Sequence, residues 1–75
     1  MNIADVVSVK KDVQGGTPCF AGTRVPVASL FDHIEGGYTI DYFLDQFPSV
    51  SREQVIALLE TAKRRTESDI PANTP

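Results

Sequence analysis

The sequence predicts a mainly α domain, with a short N-terminal β arm and hairpin followed by a three-helix, helix-turn-helix-like unit. Three observations lead there. After residue 26, apolar residues recur at i, i+3, i+4 and i+7 in three successive stretches, the period of one helix face. Each stretch is flanked by residues that start or stop helices. Before residue 26 that period is missing, and β-branched residues and glycine turns replace it.

Taken in order, Val6-Val7-Ser8-Val9 is short and β-branched and reads as a strand. Gly15-Gly16 marks a turn. Cys19-Phe20 and Thr23-Arg24-Val25 flank Ala21-Gly22, which predicts a tight hairpin with glycine at the positive-φ position. On this reading residues 1–25 form an arm with little core of its own.

Val27, Leu30, Phe31 and Ile34 make the first helical stripe. Pro26 suits its first turn, where no amide donor is missed, and Gly36-Gly37 stops it. Ile40, Phe43, Leu44 and Phe47 make the second stripe. Thr39 is placed to cap that helix, Asp41 complements the dipole in its first turn, and Pro48 ends it. The third helix opens with a capping box of Ser51 and Gln54, flanked by Val50 and Val55 as a hydrophobic staple. Its stripe is Val55, Leu58, Leu59 and Ala62, and Lys63-Arg64-Arg65 fall in its last turns, where cations suit the negative end. The link Pro48-Ser49-Val50 has helix-turn-helix length. Residues 66–75 contain Pro71 and Pro75 without periodicity, and are expected to be a flexible tail. One domain over residues 1–65 results, the arm being 1–25 and the helical unit 26–65.

Composition narrows the function. A chain of 75 residues makes one domain. It buries only about 60% of its unfolded surface, so it needs support. Cys19 is the only cysteine, which excludes a disulfide within the chain. Cys19 and His33 are the only soft ligands, too few for a structural zinc site, so no metal or cofactor is expected. Oligomerisation is the remaining support, with a homodimer favoured. No stretch approaches a membrane span and no secretory signal is visible. An unpaired cysteine fits a reducing compartment, so a cytoplasmic location is expected.

The net charge of -3 argues against a simple polyanion binder. Its distribution is more informative. Residues 26–50 carry Asp32, Glu35, Asp41 and Asp45 with no Lys or Arg, whereas residues 51–65 carry Arg52, Lys63, Arg64 and Arg65 against Glu53 and Glu60. Two readings stand side by side: different faces for different partners, or two solvated helix faces.

The segment Gly15-Gly16-Thr17-Pro18-Cys19-Phe20-Ala21-Gly22-Thr23-Arg24-Val25-Pro26-Val27 resembles the signature of the bacterial domain of unknown function 433 family: Gly-Gly-x-Pro, three residues, Gly-Thr-Arg, an aliphatic, x and Val. Downstream, Gly36 or Gly37, Thr39, Phe47-Pro48, Ser51, Glu53 and Val55 continue the likeness, which covers about residues 8–62. The resemblance implies a homeodomain-like or winged three-helix fold, dimerisation, and a role as the antitoxin of a toxin–antitoxin pair. The partner it implies is a small toxin with a PIN-like ribonuclease fold. Lys10-Lys11 depart from the Asp-Pro found at this point in many members.

Candidate residues follow, each with a plainer alternative. Arg24 offers a guanidinium to a phosphate or a partner carboxylate, or else fixes its own turn, by bonding the turn's carbonyls or by pairing with an Asp or Glu on a helix of the same chain. Ser51, Arg52 and Gln54 stand where a helix-turn-helix reader meets base edges, though Ser51 and Gln54 also serve as the capping box. Lys63 and Arg64 reach for phosphates or simply solvate a helix end. Phe20, Tyr38, Tyr42 and the tail's Ile70 are candidate partner contacts, with a core role equally open for Phe20. Gly15-Gly16 and Gly22 lack the Gly-Lys-Ser/Thr of a phosphate loop. Cys19 has no base assigned to it, His33 and Asp32 point different ways on one helix, and Asp41 with Asp45 supply too few ligands for a cation. No catalytic residue, small-molecule substrate or enzymatic role is expected. The expected function is an antitoxin that neutralises a PIN-like ribonuclease toxin and binds operator DNA as a dimer. The alternative is a freestanding helix-turn-helix transcriptional regulator.

Overall fold

The computed structural model describes residues 2–69 of the chain. It is mostly helical, with one small antiparallel sheet near the N-terminus. The first element is a helix of one turn that the sequence reading missed, α1 (Ile3–Val6), capped by the Asn2 side chain through the Ala4 amide. Val6 closes α1 and is fully buried, so the expected Val6–Val9 strand shrinks to β1 (Val7–Ser8), while Val9 lies open to solvent.

The partner of β1 is β2 (Cys19–Phe20), in antiparallel register Val7 to Phe20 and Ser8 to Cys19. The tight turn at Ala21-Gly22 is present, with Gly22 at φ +77 and the Thr23 amide donating to the Phe20 carbonyl at 3.0 Å. Thr23-Arg24-Val25, however, is not a strand; Cys19 makes only an isolated bridge to Pro26. The turn closes through single backbone bonds on the other edge of β2, the Phe20 amide to the Val25 carbonyl at 2.9 Å and the Val27 amide to the Pro18 carbonyl at 3.1 Å. One edge of β1 is filled by β2.

The three expected helices follow as α2 (Val27–Glu35), α3 (Ile40–Gln46) and α4 (Arg52–Asp69). Local chemistry sets their ends. Gly37, at φ +88, closes α2 with paired bonds: its amide to the Ile34 carbonyl and the Tyr38 amide to the His33 carbonyl, at 3.0 and 2.9 Å. The Thr39 hydroxyl accepts the Tyr42 amide at 3.0 Å and caps α3. The Ser51 hydroxyl accepts the Gln54 amide at 3.1 Å while Gln54 Oε1 accepts the Ser51 amide at 3.0 Å, the reciprocal box expected for α4. Helix α4 continues through residues 66–69, which the sequence reading assigned to the tail. Lys63-Arg64-Arg65 are therefore not its last turn, and they lose the dipole benefit that falls off beyond the final turn.

One core gathers Val6 from α1, Phe20 from β2, Leu30 from α2, Phe43 from α3, Val50 from the link, and Val55 and Leu58 from α4, with the half-buried Val7 of β1 packed against it. The arm thus supplies core side chains, contrary to the expectation that it had little. The Phe20 and Phe43 rings meet at 6.1 Å between centroids. Among the described residues no helix is long and apolar enough to cross a membrane.

Candidate functional site

The turn between β2 and α2 presents Arg24. Thr23 donates its hydroxyl to the Phe20 carbonyl at 2.8 Å and accepts the Val25 amide at 3.0 Å. The Phe20 amide donates to the Val25 carbonyl at 2.9 Å, and Gln14 Nε2 donates to the carbonyl of Arg24 itself at 3.1 Å. The backbone around Arg24 is held on both sides. Its guanidinium, by contrast, makes no hydrogen bond or ion pair within the described residues and is exposed. Neither alternative in which the side chain fixes its own turn is realised; the Thr23 hydroxyl and the Gln14 amide do that work.

The same turn is tied to α4. The Ala21 amide donates to the Val6 carbonyl at 2.7 Å, and the Ala21 carbonyl accepts from Gln54 Nε2 at 3.0 Å. Both ends of the Gln54 amide are therefore occupied inside the molecule, and Ser51 is occupied by the cap. Arg52 is exposed and paired with Asp41 at the start of α3. Lys63 and Arg64 are exposed further along α4, and Arg64 lines a shallow surface concavity with Arg52, Glu53 and Glu60. Gln54 ties the first turn of α4 to Ala21, three residues before Arg24, whereas Arg24 itself lines a different concavity that no α4 residue enters.

A second surface lies on α2 and α3. Tyr38 and Tyr42 stack with centroids 4.8 Å apart and planes 19° off parallel, and both are about half exposed. Beneath them sits His33, whose Nδ1–H donates to the Ser29 carbonyl at 2.8 Å. Its ring meets Phe43 and Phe47 edge-on at 5.3 and 5.6 Å and Tyr38 at 5.7 Å. His33 thus joins the surface tyrosines to the core. Ile34 was expected in the buried stripe but is 41% exposed on the same helix. Asp32, Glu35, Asp41 and Asp45, all exposed, are the charged neighbours on these two helices.

Of the other candidates, Phe20 is corrected: it is wholly buried against Phe43 and touches no partner from there. Both residues of β2 are buried, and Phe20 joins the core with Leu30, Phe43 and Val55 of the helices. Ile70 lies outside the described residues. Cys19 is buried, its thiol donating to the Thr17 carbonyl at 3.4 Å. No group of three or more His, Cys, Asp and Glu side chains comes together among the described residues. The sequence reading missed His33 as the organiser of the tyrosine pair; its aromatic neighbours sit on two elements, and only the α2–α3 packing unites them.

Comparison with known proteins agrees with this architecture. A family model described as a protein of unknown function (DUF433) matches residues 7–61. An uncharacterised protein, y4eO of Sinorhizobium fredii, is 33% identical over 51 residues, covering 68% of this chain and 23% of that protein. The chain therefore spans about a quarter of that relative's length. The crystal structure of a DUF433 member protein from Anabaena variabilis superposes with a TM-score of 0.69 at 22% identity, covering 85% of this chain and 63% of that one. At that identity the likeness concerns the fold alone.

Proposed function

The chain belongs to the DUF433 family, and from that premise we propose that it is an interaction module, the antitoxin of a toxin–antitoxin pair, acting as a homodimer on a PIN-like ribonuclease toxin. The observation that carries this reading is the α2–α3 face. Two stacked tyrosines and Ile34 remain open to solvent, on helices that carry four carboxylates and no Lys or Arg. Tyrosine supplies contact area at low entropic cost and is enriched at interface cores. A ribonuclease must attract a polyanion, so the surface around its cleft is positive. An aromatic patch with acidic neighbours is complementary to such a surface, and its docking blocks access of RNA. Fast, salt-sensitive association follows from the same charges.

The test uses the full chain and a ribonuclease encoded beside it. Wild type should inhibit RNA cleavage, and the Tyr38→Ser/Tyr42→Ser variant should inhibit at least about tenfold less, the loss of about 1.4 kcal/mol of binding. Equal inhibition by both proteins refutes the docking face, and a fully active ribonuclease in the presence of wild type refutes the antitoxin reading.

A second reading, DNA binding as an operator-reading dimer or a freestanding regulator, is favoured by one observation: the unpartnered Arg24 guanidinium on a turn bonded to the start of α4. Electrophoretic mobility shift with DNA from upstream of the chain's own reading frame tests it, at low salt where phosphate contacts are strongest. Absence of a shift refutes it.

A further inference from the structure

An open groove runs between the segment after β1 and the turn before α2, with the α3–α4 link at its end. Ser8, Lys10, Gln14, Thr23, Arg24 and Ser49 supply its polar lining, and no carboxylate lines it. In a chain with ten acidic and seven basic residues, a surface concavity with two cations and no acid is unusual. We propose that this groove binds the phosphodiester backbone of nucleic acid, with Arg24 and Lys10 as the phosphate-contacting cations.

The backbone geometry explains why the groove is suited to an anion. Arg24 is presented by a backbone fixed through Thr23, Val25 and Gln14, so little main-chain entropy is lost when its guanidinium engages a ligand. Its planar fork matches two phosphate oxygens. Gln14 itself is held at φ +50, a left-handed conformation unusual outside glycine, and its side chain supports the Arg24 carbonyl. Across the groove the Lys10 carbonyl accepts the Val13 amide at 3.0 Å, which turns the segment and places Lys10 on the wall. Ser8, Thr23 and Ser49 add hydroxyls. The Gln54–Ala21 bond anchors the turn that forms this wall to α4.

This inference rests on the nucleic-acid part of the reading above and is independent of the tyrosine face. The full chain is titrated against a fluorescein-labelled duplex of arbitrary sequence, by anisotropy, from about 50 to about 200 mM salt. Two phosphate contacts contribute about −1.8 to the slope of log affinity against log salt. Arg24→Gln and Lys10→Gln should each weaken binding at every sequence and reduce that slope by about 1. Lys63→Gln/Arg64→Gln should leave the groove's contribution unchanged. Amide resonances of Gly22, Thr23 and Arg24 should shift on adding the duplex.

If the Arg24→Gln/Lys10→Gln protein binds as well as wild type while Arg52→Gln or Lys63→Gln/Arg64→Gln does not, the groove is overturned and DNA binding stands. If no variant nor wild type binds at the lowest salt, both fall. If inorganic phosphate shifts the groove amides and the duplex does not, the site takes a free anion and the proposal is overturned. If those amides shift only with a ribonuclease partner, the groove takes protein carboxylates and the proposal is likewise overturned.

Discussion

Replacing Gln54 by alanine removes two bonds of different kinds. Gln54 Oε1 completes the capping box with the Ser51 amide at 3.0 Å, and Nε2 reaches the Ala21 carbonyl, 33 residues away in sequence, also at 3.0 Å. Loss of the cap arm costs about 1 kcal/mol. Loss of the second bond costs about 1 kcal/mol, and more if the Ala21 carbonyl finds no water. The sum, about 2–3 kcal/mol, is a large part of the stability of a domain this size, on the order of 5 kcal/mol. Since 1 kcal/mol corresponds to about 4–8 °C for such domains, Gln54→Ala should lower Tm by about 10–20 °C. Gln54→Glu separates the two bonds. It keeps the acceptor at the helix start, where negative charge is favoured, and removes the donor to Ala21. It should still lose about 1 kcal/mol in urea denaturation followed by circular dichroism. A neutral or stabilised Gln54→Glu would show that the link between the turn and α4 is not formed in solution.

Further substitutions test other parts of the structure. Phe20→Ala empties the centre of the core and should cost about 3–5 kcal/mol, enough to abolish a cooperative thermal transition. Thr23→Val removes the hydroxyl that bridges the Phe20 carbonyl and the Val25 amide, and should cost about 1–2 kcal/mol in the same urea assay. Gly37→Ala meets open space but keeps φ +88, so about 1 kcal/mol of pure backbone strain is expected in the melting curve. Tyr38→Ser/Tyr42→Ser should stay within about 1.5 kcal/mol of wild type, because the pair is about half exposed and loses its stacking and its ring contacts with His33.

Much of the helical unit was legible because its signals are local. Thr39, the Ser51–Gln54 box and the Gly36-Gly37 stop act within a few residues, and each closes a helix end as expected. Leu30, Phe43, Val55 and Leu58 are buried where the periodicity places them. The arm was less legible. Helix α1 is a single turn, too short for any periodicity, and β1 and β2 have two residues each, so neither pattern nor length distinguishes them from loop.

The functional surface was the least legible of all. Tyr38, Tyr42 and Arg24 could be named as candidates, and a core role stood open for Phe20, but not His33's place under the tyrosines or the second bond of Gln54. By itself the sequence determined which residues share a helix face and where each helix begins and stops, since those preferences involve neighbours along the chain. Tertiary structure alone decided which faces are covered, which polar groups are occupied internally, and which cations are left without an ion pair among the described residues. Those outcomes depend on segments far apart in sequence meeting in space, and residue spacing along one helix carries no record of what packs against it.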